Sequence, residues 1–209
     1  MPARARSYLP GIDVSHYQGA VDWRAVAASG VRFAFIKATD GVDDVDPLFQ
    51  QNWAGAGAAT ILRSAYHFFR PGLDAKRQAE RFLGVLAMDD LAIAPALDVE
   101  VTDGLDPAAL QQGIRCWLDE VAAALGRPPI VYTDPMFWRA NVGGDFGAYP
   151  FWLACYADQP EVPAAWRGWT FWQHSDVGRV PGIVGHVDLD CCALSYEDLR
   201  SGRLFGSDS

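Results

Sequence analysis

Residues Ala94-Pro95-Ala96-Leu97-Asp98-Val99-Glu100 form an apolar run that stops on two acids. A short, continuous apolar run reads as a strand covered on both faces, as in a parallel sheet. Similar runs occur at Gly11–Val14, Val31–Ala38, Leu62–Phe69, Ala92–Val99 and Pro129–Tyr132. Helix-like stretches separate them. Val21–Ala28 precedes Gly30, and Pro47–Ala59 follows Asp46, an expected N-cap with proline at the first helical position. Leu73–Met88 carries Ala79, Phe82, Leu83 and Leu86 at helical spacing, and Pro107–Leu125 follows Asp106 and stops at Gly126. After Phe137–Val142 the pattern changes: Phe151–Tyr156, Trp169–His174 and Val187–Cys192 read as strands, but their connections carry Pro and Gly without a helical period. About five βα units followed by three strands predict an α/β fold, an incomplete TIM-like barrel.

The expected organisation is one domain over 11–200 with tails at 1–10 and 201–209, since 209 residues suit a single domain. There are 17 Lys+Arg against 26 Asp+Glu, a net charge of −9. That balance argues against a nucleic-acid partner and against docking on anionic membranes. No apolar run approaches the roughly 18–20 residues that span a bilayer, so no membrane insertion is expected. No stretch of signal-peptide length precedes the first strand. The location therefore stays open between an exported protein and one delivered by another route. Cys116, Cys155, Cys191 and Cys192 have no Cys-x-x-Cys spacing, so structural zinc is not expected and the thiols read as mostly buried, with Cys116 in a helix core.

Active sites of βα barrels lie at the C-terminal ends of the strands. Asp98 and Glu100 fall at such an end and, two apart on a strand, share a face at about 7 Å. Two carboxylates that close cannot both ionise freely, which leaves a proton-holding acid beside a stabilising carboxylate, the equipment for cleaving a glycosidic bond. The alternative is a loop start at Asp98 and a solvated Glu100; the strand leading into the pair favours the shared face. Asp13 lies in the first strand and Asp188 in the last, so closure of the barrel makes them neighbours and completes a four-carboxylate cup. Tyr66, Phe68, Phe69, Tyr132, Trp152, Tyr156 and Trp172 lie at or near strand ends, where rings that stack on sugars would line a groove. His67 alternates with Tyr66 and reads as structural; His16 has no evident partner. The acidic run 40–46 lacks the spacing of a calcium loop and reads as capping plus solvated charge.

The segments Gly11-Ile-Asp-Val-Ser-His-Tyr-Gln-Gly19, Phe35-Ile-Lys-Ala-Thr-Asp-Gly41, Ala65-Tyr-His-Phe-Phe69 and Pro95-Ala-Leu-Asp-Val-Glu100 occur in order. Val131-Tyr-Thr-Asp134, Phe151-Trp-Leu-Ala154, Trp169-Thr-Phe-Trp-Gln-His174 and Val187-Asp-Leu-Asp190 follow. Together, from about Gly11 to Leu194, they resemble glycoside hydrolase family 25, the Chalaropsis-type lysozymes. The resemblance implies a (β/α)5(β)3 barrel and hydrolysis of the β-1,4 bond between N-acetylmuramic acid and N-acetylglucosamine in peptidoglycan. It implies Glu100 as general acid, Asp98 acting on the substrate's N-acetyl group or the developing anomeric charge, and Asp13 and Asp188 tuning both. Tyr66, Tyr132, Trp152 and Gln173 would line the groove. No cofactor or metal is implied, the partner is a peptidoglycan glycan strand, and a monomer, exported or phage-delivered, is expected. Two positions depart from the usual pattern: Asp40, where many members have Glu, and Asp190-Cys191-Cys192, where relatives often have Asn and an aromatic nearby. A binding barrel without turnover and a metal-dependent hydrolase built on the same cup are the rival readings.

Overall fold

The computed structural model describes residues 8–86 and 91–204. The strands are β1 (Leu9–Val14), β2 (Phe33–Asp40), β3 (Asp44–Val45), β4 (Leu62–Phe68), β5 (Ala96–Asp98), β6 (Ile130–Thr133), β7 (Phe151–Ala154), β8 (Phe171–Gly178) and β9 (Val187–Cys192). The helices are α1 (Trp23–Ala28), α2 (Phe49–Ala58), α3 (Ala75–Val85), α4 (Pro107–Leu125), α5 (Pro135–Phe137) and α6 (Tyr196–Arg200). The sheet runs β1-β9-β8-β7-β6-β5-β4-β2 and closes through a parallel β1–β2 pairing, with β3 a short antiparallel flap on β2. The result is an eight-stranded closed barrel whose helices belong to the first five units, apart from the short α6 after β9.

Strand alternation divides the core in two. Ile12, Ala34, Ile36, Leu97, Val131, Phe151 and Leu153 face outward against the helices. Phe33, Phe35, Ala96, Ile130, Tyr132, Trp152 and Phe171 fill the lumen. Within it Phe35 stacks on Trp152 at 3.8 Å, and Phe171 meets both phenylalanines edge-on. Gly11 is required by this filling: a Cβ there would lie 2.2 Å from Phe33 Cζ. α4 matches its expected bounds because Asp106 caps it through the Ala109 N–H and Gly126 ends it with φ of 67°.

Several boundaries differ from expectation for physical reasons. α2 begins at Phe49 rather than Pro47, because Asp46 spends its carboxylate on the Leu48 N–H and on His16. The expected helical end at Met88 lies outside the described residues. Segment 138–142 winds as a π-helical turn. The outer segments contribute more than tails: β1 starts at Leu9, and Leu204, 6% exposed, packs into the lumen cluster. Cys116 is half-buried rather than a core residue. Among the described residues no helix is long and apolar enough to cross a membrane.

Candidate active site at the barrel mouth

A cavity of about 280 Å³ opens at the C-terminal ends of the parallel strands. It is lined by all of the sequence-predicted residues: Asp13, Tyr66, Asp98, Glu100, Tyr132, Trp152, Gln173 and Asp188. Asp98 ends β5 as expected of a strand residue and is 6% exposed, whereas Glu100, beyond the strand, stands open to solvent. A larger cavity, about 690 Å³, sits before β7 and β8 and holds Asp145 as its one acid, with none of the predicted residues. Chemistry, rather than size, singles out the mouth.

Asp188 arrives there by a route that strand order alone does not supply. It lies near the start of β9, not at a strand end, but β9 runs antiparallel to both β8 and β1. Reversal carries the start of the strand to the mouth and sets Asp188 directly opposite Asp13, with Asp190 opposite Gly11 one pleat deeper.

Gln173 ties the cup together. Its Nε2 donates to Asp13 Oδ2 at 2.7 Å, and its Oε1 accepts the hydroxyls of Tyr132 and Tyr156 at 2.9 and 3.0 Å. Tyr132 also stands beside Glu100, where a phenolic hydrogen bond favours the ionised acid. The Tyr132 proton goes to Gln173 in the arrangement seen here, and turning the same hydroxyl toward Glu100 would steady the ionised acid. Below, Trp152 Nε1 donates to Asp190 Oδ1 at 2.8 Å. Asp98 Oδ1 and Asp190 Oδ2 are buried without a partner.

Burial raises every one of these carboxyls. Asp98 is pushed well above the usual carboxylate range by burial and then by Glu100, against the pull of Lys37. Glu100, though exposed, is raised by the partial loss of water at the cavity edge, against the pull of Tyr132. Asp13 is pushed well up by burial and by Asp190 and Asp188, and those two are themselves raised by burial. The paired acids therefore keep protons to higher pH than isolated carboxylates would.

The sequence reading passed over Lys37, the one cation lining the cavity among the described residues. Its signal was available: Phe33 and Phe35 face the lumen, and a period of two carries Lys37 to the same face. Its ammonium lies 3.0 Å from Asp40 Oδ2 and 5.0 Å from the centroid of Phe68. Burial works to raise Asp40, but Arg70 and then Lys37 outweigh it and hold the carboxyl low. Ser15, Tyr17, Gln18, Phe68 and Asp176 also line the mouth. Trp172 does not: it faces outward and donates to the Cys155 carbonyl at 2.6 Å. His16, expected to be unpartnered, bonds Asp46 Oδ2 through Nδ1 at 2.8 Å. His67 is structural, bonded to Thr39 and Gln78 and stacked on Trp117, with burial lowering it to about 4.

A mixed α/β barrel with a carboxylate pair at its mouth fits a glycoside hydrolase. The chain belongs to Glycosyl hydrolases family 25, whose profile matches residues 12–183. It is 39% identical over 199 residues to the uncharacterized protein YegX of Escherichia coli K12, covering 92% of this chain and 72% of that protein. Lysozyme M1 of Streptomyces globisporus is 36% identical over 196 residues, covering 87% of this chain and 67% of its own. The crystal structure of the bacterial lysozyme from Streptomyces coelicolor superposes with a TM-score of 0.88 at 33% identity, covering 95% of this chain and 99% of that one.

Proposed function

We propose that this protein is a muramidase that hydrolyses the β-1,4 bond between N-acetylmuramic acid and N-acetylglucosamine in peptidoglycan, acting as a monomer. The observation that carries the reading is the Asp98/Glu100 pair in the mouth of a family 25 barrel, one acid buried and one open to solvent. Glu100, accessible and holding a proton above the usual carboxylate range, protonates the leaving glycosidic oxygen. Asp98, whose Oδ1 is buried and unpartnered, receives the substrate's N-acetyl group or steadies the charge growing at the anomeric carbon. Lys37 pulls on both carboxyls and opposes the raising that burial imposes on each. Gln173 fixes the Tyr132 and Tyr156 hydroxyls and Asp13, so the cup is oriented before substrate arrives. Tyr66 and Trp152 supply ring surface to the sugar.

Identification of the new reducing sugar after digestion of purified peptidoglycan tests the reading. Reducing N-acetylmuramic acid is expected; reducing N-acetylglucosamine, or glycan binding without release, contradicts it. Release abolished by a chelator would point to the metal-dependent rival.

A further inference from the structure

The cup is smaller than the roughly 300–1,000 Å³ that encloses a drug-sized ligand. A glycan polymer seated on Asp98 and Glu100 must therefore continue over the rim, and an acidic mouth offers an anionic wall polymer little charge attraction. Neutral ring surface is what the rim can offer. Tyr156 is 55% exposed, but its hydroxyl is committed to Gln173. Tyr17 is 82% exposed, lines the same cavity, and has no side-chain hydrogen bond among the described residues.

Tyr17 is exposed but not loose. It sits in a 3-10 turn at 16–18 closed by a capping box, in which the Ser15 N–H donates to Gln18 Oε1 at 2.9 Å. Its ring lies 4.1 Å from that of His16, inclined at 37°. His16 is in turn pinned by Asp46, which accepts both its backbone N–H at 2.9 Å and its Nδ1 at 2.8 Å. A surface tyrosine ordinarily turns its ring against the protein; here one face rests on a clamped imidazole while most of the ring stays in water, beside the cup.

Resting on the glycan-hydrolase reading above, we propose that Tyr17 is a stacking platform for a sugar ring outside the cleaved pair, with the His16–Asp46 clamp as its support. A ring already held in place loses little freedom on binding. The platform would recognise the apolar face of an N-acetylated pyranose and would act on affinity, not on the chemical step.

The test is binding. Glu100→Gln protein, with and without Tyr17→Ala, is titrated calorimetrically with a soluble hexasaccharide of alternating N-acetylglucosamine and N-acetylmuramic acid. Tyr17→Ala should weaken binding about five- to tenfold, and Tyr17→Trp should restore it. The melting temperature should not move, because the ring is in solvent. Equal affinity with and without the ring overturns the platform, as does absence of binding by either variant. Turnover of the unaltered protein is measured separately: glycan binding that depends on Tyr17 without any hydrolysis would contradict the muramidase reading and leave the platform standing.

Discussion

Asp188 lies directly opposite Asp13 across the antiparallel pair of β1 and β9, and one pleat below them Asp190 lies opposite Gly11. Three carboxyls thus share one wall of a lumen whose interior is filled mainly with rings and aliphatic side chains. Asp13 and Asp190 are buried, and burial pushes both well above the usual carboxylate range. A carboxyl raised on folding contributes stability that is full below its unfolded pKa and is lost as pH rises through the folded value. The wall therefore burdens the fold at neutral pH.

Asp190→Asn should relieve part of that burden. The amide oxygen can keep the bond from Trp152 Nε1, now 2.8 Å long, and the titrating proton disappears. The variant should gain on the order of 1 kcal/mol near pH 7.5 and less near about pH 4. Thermal melts of both proteins across that range check the sign; a gain that grows toward acid would contradict it.

Lys37 pulls against the raising of both Asp98 and Glu100, with Arg70 adding to that pull on Asp98. Replacing Lys37 with Met raises both, so both limbs of the pH–rate profile should move to higher pH, by about half a unit or more. Lys37→Arg should restore most of the original profile. A uniform loss of rate with unmoved limbs would mean that Lys37 serves packing alone.

Gln173 is 3% exposed and makes three side-chain bonds, to Asp13, Tyr132 and Tyr156. Gln173→Leu leaves the first two groups, both buried, without that partner, while Tyr156 can turn to water. At about 1–3 kcal/mol for each orphaned buried group, the loss should be about 2–4 kcal/mol in chemical denaturation. Activity should fall as well, because the tyrosines lose their orientation.

Gly11→Ala tests the floor of the barrel. The added methyl would fall 2.2 Å from the buried Phe33 ring, and overpacking of this kind costs about 1–3 kcal/mol. Phe33→Leu in the same chain should recover part of the loss; a Gly11→Ala protein as stable as the parent would contradict the packing described.

Much of this was legible in the residues because burial on both faces leaves a strong local mark. Ala94–Glu100 announces both a strand and an acid pair, and Asp106, Pro107 and Gly126 bound α4 to the residue. What was not legible depends on direction or on long-range partners. The reversal of β9 leaves no trace in Val187–Cys192 itself; it follows from the short, helix-free connection before it. Asp46 reads as a helix cap until His16, thirty positions away, is seen to claim it. Lys37 was hidden by its charge, which suggests surface, although Phe35 and Phe33, two and four residues earlier, set its direction inward.

If Glu100 delivers the proton, its carboxyl is indispensable to turnover. The most direct measurement is the turnover of Glu100→Gln on purified peptidoglycan, taken beside its melting temperature. Gln keeps the size of the side chain but has no acidic proton. A fall in rate of about 10²- to 10⁴-fold with melting unchanged is expected. Turnover close to that of the parent, in a protein that melts normally, would contradict it.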